Sequence, residues 1–337
     1  MSENEKLLEI KDLKIRFEHD DNIVKAVNGA NISVNKGQSV GIVGESGCGK
    51  TMTTYSAMNI LPSAGEVSSG EINFKKRSGE IIDITNLDSD GKEMRSIRGA
   101  EISMIFQEPM SAFSPVHTIG NQIMEAILLH QDYSESEARE RAVELLDKVG
   151  ISNPDQRIDE YSFQFSGGMR QRAMIAMALA CNPQLIIADE PTSALDVTIQ
   201  AQVMKLMRDM QQDFNISMIL ITHDLGVIAH MVEYLYVMYL GRVVEEGPIE
   251  EIFDNPKHPY TRDLLKSIPK LKGVKGKLAS IKGSVPDYLP SGCAFHPRCQ
   301  DRVGKICSQK VPAPSEFESG QQASCFKYTD KGVGEID

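Results

Sequence analysis

GESGCGKT, from Gly44 to Thr51, decides the fold of this 337-residue chain. The octapeptide fits the pattern G-x-x-x-x-G-K-[ST] and lies between an apolar segment, GQSVGIV, and a helical one, TMTTYSAMNIL. A strand, a glycine-rich turn and a helix in that order form a P-loop, whose backbone N–H groups and positive helix end face phosphates. We therefore predict a nucleotide site formed by Gly44, Glu45, Ser46, Gly47, Cys48, Gly49, Lys50 and Thr51.

The two residues that end the P-loop have distinct expected roles. Lys50 is expected to reach the β- and γ-phosphates of a nucleotide, and the Thr51 hydroxyl is expected to bind Mg²⁺. Cys48 lies among residues that contribute through their backbone, so we expect no role for its thiol. A glycine-rich turn with an incidental lysine is the alternative, and the strand and helix on either side argue against it.

A second motif, LIIADEPT, supplies carboxylates. Four apolar residues end in Asp189 and Glu190, which places two acids at the carboxyl edge of a buried strand, where open α/β sheets bind ligands. We expect Asp189 to hold Mg²⁺ and Glu190 to orient and deprotonate the water that attacks the γ-phosphate. A plain surface pair is the alternative, but acids that end an apolar strand need solvent or a cation.

A third motif, FSGGMRQR, begins at Phe165. Ser166 can cap the helix that follows, and Gly167 and Gly168 bring backbone N–H groups to its positive end. One chain rarely needs two phosphate cradles for one nucleotide, so we predict that this segment closes over ATP held by the P-loop of another copy. On local sequence alone, a capped helix without a ligand explains the segment equally well.

Short apolar segments alternate with helical patterns along most of the chain, which predicts a mainly parallel sheet covered by helices. The expected strands are Ser39 to Val43, Glu101 to Phe106, Leu185 to Ala188 and Ser217 to Thr222. The first hundred residues instead alternate apolar and polar positions at period two, as half-exposed antiparallel strands do.

From Thr118 to Val149 the pattern becomes helical, which indicates an inserted helical subdomain. Ser134 and Glu137 are spaced as a capping box, and Gly150 is expected to end the helix. The predicted buried stripe consists of Ala138, Ala142, Leu145, Leu146 and Val149.

Composition limits the class of protein. Hydrophobic residues make up 41% and charged residues 25%, which suits a globular chain with a full core. The net charge of −11, from 36 basic and 47 acidic residues, disfavours a protein that coats nucleic acid. No apolar run approaches the roughly 18 residues that span a bilayer, and MSENEKLLEIKD has no apolar signal core, so we expect the chain to stay in the cytosol.

The C-terminal part of the chain has its own chemistry. Between Lys257 and Lys282 lie eight basic residues against one acid, which suits a hinge or a solvated linker, with contact to anionic lipid as the alternative. Beyond this segment lie Cys293, Cys299, Cys307 and Cys325. Thiols or metal ligands are commoner than disulfides in a reducing compartment. The cysteines lack the C-x-x-C spacing of zinc sites, yet so small a segment has little core, and a four-cysteine centre would stabilise it.

The motifs occur together in one order: GESGCGKT, Gln107 after the strand ISMIF, FSGGMRQR, LIIADEPT, SALD and ITHD. From about residue 7 to residue 255, this set resembles the ATP-binding-cassette (ABC) ATPases. MIFQEPM, SALDVTIQAQV, MYLGRVVEEGP, HPYTRDLL and the cysteine tail are similar, over nearly the whole chain, to the ATPase subunits of oligopeptide and dipeptide permeases. SAFSP and YSFQ depart from the family's commoner SLNP and YPHQ, and these departures bear on docking to a membrane partner rather than on hydrolysis.

The resemblance implies roles for further residues. Phe17 corresponds to the aromatic residue that stacks on adenine, and Gln107 to the residue that contacts Mg²⁺ and the attacking water. Asp196 corresponds to the aspartate that crosses to the opposing subunit. His223 corresponds to the histidine that contacts the γ-phosphate and steadies Glu190. Simpler roles stay open, namely a core position for Phe17 and His223 and a helix cap for Asp196.

The resemblance also implies the architecture. It predicts an α/β P-loop ATPase core with a mainly parallel sheet, an N-terminal antiparallel β subdomain, an inserted helical subdomain and a small cysteine-rich C-terminal extension. The nucleotide-binding domain would cover residues 1–255, with the helical subdomain at about 108–165, and the extension would cover residues 256–337. In the relatives a similar cysteine quartet resembles a [4Fe–4S] site, so we expect that cluster here, with zinc or free thiols as the alternatives.

The implied function is that of the ATP-hydrolysing subunit of an importer of di- and oligopeptides, with ATP and Mg²⁺ as cofactors. The expected partners are two transmembrane permease subunits, a second ATPase subunit (a paralogue or a second copy) and an extracytoplasmic solute-binding protein, at the cytoplasmic face of the cell membrane. Nickel or short sugars are alternative cargoes. A soluble cassette that clamps nucleic acid or ribosomes is the alternative from another class, and the acidic charge and the single cassette without a coiled coil argue against it.

Overall fold

The computed structural model describes residues 5–19, 22–193, 195–267, 281–286 and 288–329. Their contacts divide the chain into two compact units. The first unit contains the residues up to Glu9, Ser33–Ser39 and Asn73–Ile221, and the second contains Ile10–Ile32, Val40–Ile72 and the residues from Thr222 onward. The middle of the expected linker, residues 268–280, lies outside the described residues.

The strands and helices follow one another along the whole described chain. The strands are β1 (Lys6–His19), β2 (Asn22–Asn35), β3 (Ser39–Val43), β4 (Gly65–Lys75), β5 (Ile81–Asp83), β6 (Ile102–Ile105), β7 (Leu185–Asp189), β8 (Ser217–Ile221), β9 (Tyr234–Tyr239), β10 (Arg242–Pro248), β11 (Ser315–Glu316) and β12 (Gln322–Ala323). The helices are α1 (Lys50–Ala57), α2 (Lys92–Ile97), α3 (Pro109–Ala112), α4 (Ile119–His130), α5 (Glu135–Lys148), α6 (Pro154–Arg157), α7 (Gly167–Leu179), α8 (Val197–Phe214), α9 (Leu225–Ile228), α10 (Ile249–Asp254), α11 (Pro259–Lys266) and α12 (Ile306–Gln309). The four predicted buried strands are confirmed as β3, β6, β7 and β8, with ends that agree to within one residue.

Three strands of the first unit form a parallel sheet in the order β8-β7-β6. Leu185 at the start of β7 pairs with Ile102 on one side and with Ser217 on the other. Every residue of the three strands is buried, which explains why they appear in the sequence as almost unbroken apolar runs. Asp189, the last residue of β7, therefore lies at the carboxyl edge of this sheet.

The helical stretch from Thr118 to Val149 consists of two helices, α4 and α5. The predicted capping box is confirmed at the start of α5, where Ser134 Oγ accepts from the Glu137 N–H at 3.3 Å and the Glu137 carboxylate accepts from the Ser134 N–H at 2.8 Å. The predicted stripe of α5 is fully buried, and the helix packs against α4 and α7. Gly150 ends the helix with a φ of 75°.

The sheet of the second unit is mixed rather than mainly parallel. β3 pairs in parallel with β9, whereas β10, β12 and β11 are added antiparallel, in the order β3-β9-β10-β12-β11. The reason lies between β9 and β10, where Leu240 and Gly241 have positive φ values of 42° and 76°. A two-residue turn of that kind joins antiparallel neighbours, whereas parallel strands need a longer crossover.

The N-terminal strands form a separate four-stranded sheet in the order β2-β1-β4-β5. β4 pairs antiparallel with β5, and Asn73 lies opposite Asp83. Among the helices of the described residues, none combines the length and the apolar character that are needed to cross a membrane.

Candidate functional site

The P-loop connects β3 to α1 and turns at three glycines. Gly44, Gly47 and Gly49 have φ values of 154°, 76° and 98°. A Cβ on Gly44 would lie 2.2 Å from the Met238 carbonyl oxygen, and a Cβ on Gly49 would lie 2.4 Å from the Ala26 carbonyl oxygen, so only glycine fits at these two positions. The same position on Gly47 has no described atom within 4 Å. The loop is therefore packed closely at both ends and open in the middle, as a phosphate cradle requires.

Lys50 folds back over the P-loop. Its Nζ donates to the carbonyl oxygens of Gly44 at 2.9 Å and Glu45 at 3.2 Å. The Cys48 thiol is buried 3.8 Å from the same Nζ, and burial raises the pKa of Cys48. A buried, protonated thiol agrees with the expectation that Cys48 contributes through its backbone. Thr51 is half-buried in the first turn of α1.

Glu45 is held by two residues that the sequence analysis missed. Arg298 donates from Nη1 to Glu45 Oε2 at 2.6 Å and from Nη2 to Oε1 at 3.0 Å. The Glu45 N–H donates to the Tyr260 hydroxyl at 2.8 Å. The partners lie 253 and 215 residues further along the chain, so no local spacing could reveal them. The HPYTRDLL motif contains Tyr260 but gives no indication of this contact.

Two further predicted residues lie in the second unit. Phe17 on β1 is half-buried, and its ring lies against the backbone of Gly65, where an added Cβ would approach it to 2.7 Å. His223 follows β8 and is exposed, directly before Asp224, which caps α9. Neither residue therefore occupies the core position that was its simpler interpretation.

In the first unit, two predicted catalytic residues are in contact. Gln107 Nε2 donates to Glu190 Oε2 at 3.1 Å. Glu190 has a φ of 45°, a left-handed conformation that is uncommon outside glycine, and its N–H donates to the Ile221 carbonyl oxygen at 2.9 Å. This conformation ends the extended strand after Asp189, which is 1% exposed, while Glu190 is half-buried.

Ser166 and Asp196 are confirmed as helix caps. Ser166 Oγ accepts from the Met169 N–H at 3.3 Å at the start of α7, and Asp196 Oδ1 accepts from two N–H groups of α8 at 3.1 Å. Both caps are exposed, as is Gly167, while Gly168 is partly exposed. The positive end of α7 is therefore accessible as well as capped.

The four cysteines of the C-terminal part line one cavity, together with Phe295 and Phe326. Burial raises the pKa of Cys293 to about 11, and the other three thiols contribute to this rise, as expected for groups that share a cavity. Within the described ranges, however, no three or more His, Cys, Asp or Glu side chains are placed so that they could hold a metal ion. The four thiols therefore line the same cavity, but their described positions do not have the geometry of a metal centre.

Known protein families match both parts of the chain. The family described as ABC transporter matches residues 27–193, and the one described as oligopeptide/dipeptide transporter, C-terminal region, matches residues 244–307. The oligopeptide transport ATP-binding protein AppD of Bacillus subtilis (strain 168) is 47% identical over 97% of this chain and 98% of its own length. The oligopeptide transport ATP-binding protein OppD of Haemophilus influenzae is 44% identical over 96% of this chain and 98% of its own length.

Solved structures agree with the predicted α/β cassette fold. The ATP-binding cassette MJ0796, a dimer in a post-hydrolysis state with ADP and Pi, has a TM-score of 0.63 at 26% identity and covers 72% of this chain and 99% of its own. CbiO1 from Clostridium perfringens, part of the ABC transporter complex cbiONQ, has a TM-score of 0.61 at 27% identity and covers 74% of this chain and 92% of its own. The chain therefore belongs to the ABC transporter family, as an ATP-binding protein that also carries the C-terminal region of the oligopeptide/dipeptide transporters.

Proposed function

We propose that this protein is the ATP-hydrolysing subunit of an importer that takes up di- or oligopeptides across the cytoplasmic membrane. The hydrogen bond between Gln107 and Glu190 carries the proposal, because it orients a carboxylate at the strand end that follows Asp189. A carboxylate held in this way is suited to accept a proton from an attacking water. The family match spans residues 27–193 and so includes this pair together with the P-loop.

The peptide cargo is supported by the relatives. AppD and OppD are named as oligopeptide transport proteins, and DppD of Bacillus subtilis, 45% identical over 96% of this chain, as a dipeptide transport protein. These names do not separate short from long peptides, and nickel or short sugars stay as alternative cargoes. A clamp on nucleic acid or ribosomes is not favoured, because these relatives are transport proteins.

The P-loop fits the phosphates of a nucleotide, since its ends exclude side chains and its middle is open. Lys50 is assigned to the β- and γ-phosphates, and Phe17 to the adenine ring. Mg²⁺, when bound, neutralises charge on the phosphates, and the oxygen ligands assigned to it are those of Thr51, Asp189 and Gln107. Glu190 takes the proton of the attacking water, and His223 contacts the γ-phosphate.

We also propose that ATP is enclosed between two copies or paralogues, with the P-loop of one facing Ser166, Gly167 and Gly168 of the other. The N-terminus of the 13-residue helix α7 is exposed, and backbone N–H groups at such an end bind phosphate. Asp196 at the exposed start of α8 is assigned to the contact between the two subunits. The similar cassette MJ0796 forms a dimer in its solved structure. Two transmembrane permease subunits and an extracytoplasmic solute-binding protein complete the proposed system at the cytoplasmic face.

The proposed domain division keeps residues 1–255 as the nucleotide-binding domain and residues 256–337 as the extension. Helices α3 to α6 lie between β6 and α7 and support a helical subdomain at about 108–165. For the extension we propose a four-cysteine centre, [4Fe–4S] or zinc, on the four thiols that line one cavity. Binding would require these thiols to draw into a tetrahedral set, because the described side chains do not form one.

The decisive experiment is uptake of a labelled peptide by proteoliposomes that contain this chain, its ATPase partner, two permease subunits and the solute-binding protein of the proposed system. We expect ATP-dependent uptake with the wild type and none with Glu190→Gln. Recovery of the tagged protein with rRNA or DNA, and without membrane proteins, would contradict the proposal. Uptake of nickel or a short sugar in place of peptide would keep the importer and change its cargo.

A further inference from the structure

Arg298 holds the P-loop from the cysteine-rich part of the chain. Its side chain is only 4% exposed, and its guanidinium forms two parallel hydrogen bonds with the Glu45 carboxylate, of 2.6 and 3.0 Å. The remaining donor, Nε, donates to the Lys282 carbonyl oxygen at 3.1 Å. The guanidinium carbon also lies 5.8 Å from the centre of the Tyr239 ring. A planar fork with this many partners fixes the carboxylate in position and in orientation.

The backbone of Glu45 is held as firmly as its side chain. The fully buried Tyr260 accepts the Glu45 N–H at 2.8 Å, and Lys50 Nζ donates to the Glu45 carbonyl oxygen at 3.2 Å. All three polar groups of Glu45 are therefore engaged. Because Lys50 is assigned to the phosphates, a displacement of Glu45 would displace the amine that binds them.

The turn that carries Arg298 is itself held in place. This segment, Cys293–Cys299, is named the tail turn here. The Cys293 N–H donates to the Cys307 carbonyl oxygen at 2.8 Å, and the Cys299 N–H donates to the Phe295 carbonyl oxygen at 3.0 Å. The fully buried Phe295 packs with its ring centre 5.3 Å from those of both Tyr239 and Tyr260. Arg298 therefore lies on a turn that is held by Cys307 and by the ring contacts of Phe295.

We propose that Arg298 is a positioning residue for nucleotide binding: with Tyr260, it holds Glu45 so that the P-loop keeps its phosphate-binding shape, and it couples the tail turn to the nucleotide site. This role rests on the proposed function, because it requires that the P-loop bind ATP. Arg298 acts through Glu45 and needs no contact with the nucleotide.

The competing explanation is that the ion pair only anchors the C-terminal part of the chain. The ion pair of Arg262 with Asp301 provides a matched control, because it also joins elements of this part and does not involve the P-loop. Arg262→Met and Arg298→Met each remove one guanidinium and keep an unbranched apolar side chain about as long as the arginine stem. If anchoring is the only role, the two variants should behave alike toward nucleotide.

The experiment measures binding of a fluorescent ATP analogue with Mg²⁺ to the full chain, together with hydrogen exchange at the amides of the P-loop. We expect Arg298→Met to raise the dissociation constant about tenfold and to speed exchange at the P-loop amides, since charge-assisted contacts contribute on this scale. Arg298→Lys keeps the positive charge and loses the planar guanidinium. Its dissociation constant for the ATP analogue should therefore lie between those of wild type and Arg298→Met. It also provides the comparison if the methionine variant does not fold. Arg262→Met should bind within about twofold of wild type.

A double-mutant cycle tests whether Arg298 works through Glu45. Glu45→Gln should weaken binding of the ATP analogue. Adding Arg298→Met to it should cause little further loss of affinity, because both substitutions disrupt the same contact. Wild-type affinity in folded Arg298→Met, or an equal loss in Arg262→Met, would overturn the positioning role alone. Lys50→Ala serves as the reference for loss of the nucleotide site. A wild-type protein that binds no nucleotide would overturn the proposed function and this role with it.

Discussion

Gln107 and Glu190 lie 83 residues apart in the sequence and share a hydrogen bond of 3.1 Å from Nε2 to Oε2. The amide N–H donates and the carboxylate accepts, so the contact fixes the orientation of the Glu190 carboxylate relative to Gln107. The left-handed backbone of Glu190 adds a second constraint at the same residue. An oriented carboxylate suits the general-base role that we propose for Glu190, and variants of both residues can test that role.

Glu190→Gln should abolish rapid hydrolysis and keep nucleotide binding. The substitution preserves the shape of the side chain and removes its capacity to accept a proton, so we expect turnover to fall by about 10² or more. Phosphate release in the presence of the membrane subunits measures the effect, and a fluorescent ATP analogue measures binding. Near-normal turnover would refute the role that we assign to this carboxylate.

Gln107→Ala should lower kcat about tenfold, because it removes the amide that orients Glu190. It should raise KM only modestly, because Thr51 and Asp189 remain as oxygen ligands assigned to Mg²⁺. Gln212→Ala is a suitable control, since Gln212 is an exposed glutamine on α8. Steady-state phosphate release over a range of ATP concentrations separates the two constants. A rise in KM at constant kcat would instead assign Gln107 to nucleotide binding.

Most of the fold could be predicted because its signals are local. β7 was evident as an apolar run that ends in acids, and the start of α5 from Ser134 and Glu137, three residues apart. The antiparallel strands added to β9 were not predicted. Their direction depends on the turn at Leu240 and Gly241, and nothing in the residue Leu240 indicates a positive φ.

The candidate site was predictable to the extent that its residues belong to motifs. The P-loop and the caps Ser166 and Asp196 follow from spacing of a few residues. The contact of Glu45 with Arg298 spans 253 residues, and a single sequence carries no signal for a pair that far apart. The same limit applies to the cavity of the four cysteines, since spacing shows that they are close in the chain and not how they face one another.

Ser166→Arg should prevent closure of the nucleotide-bound pair and leave binding to the P-loop intact. A long charged side chain at the exposed start of α7 would fill the space that we assign to the phosphates of the partner's nucleotide. In the Glu190→Gln background, gel filtration with ATP should show a dimer, and adding Ser166→Arg should return the monomer. Ser89→Arg, at an exposed serine outside the motifs assigned to the nucleotide, is the matched control. A dimer that survives Ser166→Arg would contradict the enclosed nucleotide.

Anaerobic purification should give a brown protein with about four iron and four sulfide per chain, as a [4Fe–4S] centre requires. Cys299→Ser should lose the colour, whereas Cys181→Ser should keep it, because Cys181 does not line the cavity. A colourless protein with one zinc per chain would support the alternative centre. Metal-free protein with four reactive thiols would refute any centre at this position.

His258 should make the stability of the fold sensitive to mild acid. Burial lowers the pKa of His258 to about 3, helped by the nearby Arg262, and its Nδ1 accepts from the Tyr260 N–H at 3.1 Å. In the unfolded chain the ordinary pKa of histidine is about 6.5, so between these values the unfolded state binds more protons and stability falls as the pH falls. At pH 5 the loss from this residue is about 2 kcal/mol relative to pH 7.5.

His258→Asn isolates that contribution, because asparagine can still accept from the Tyr260 N–H but does not titrate. The variant should be less stable than wild type at pH 7.5, and the gap in the free energy of unfolding in urea should narrow by about 2 kcal/mol at pH 5.

Glu246 provides a control of opposite sign. Burial raises the pKa of Glu246 to about 7, so the folded state binds the extra proton and is stabilised as the pH falls from 7 toward 4.5. Glu246→Gln should therefore steepen the loss of stability in acid. If the free energies of unfolding of wild type and His258→Asn change in parallel with pH, a neutral, buried His258 is contradicted.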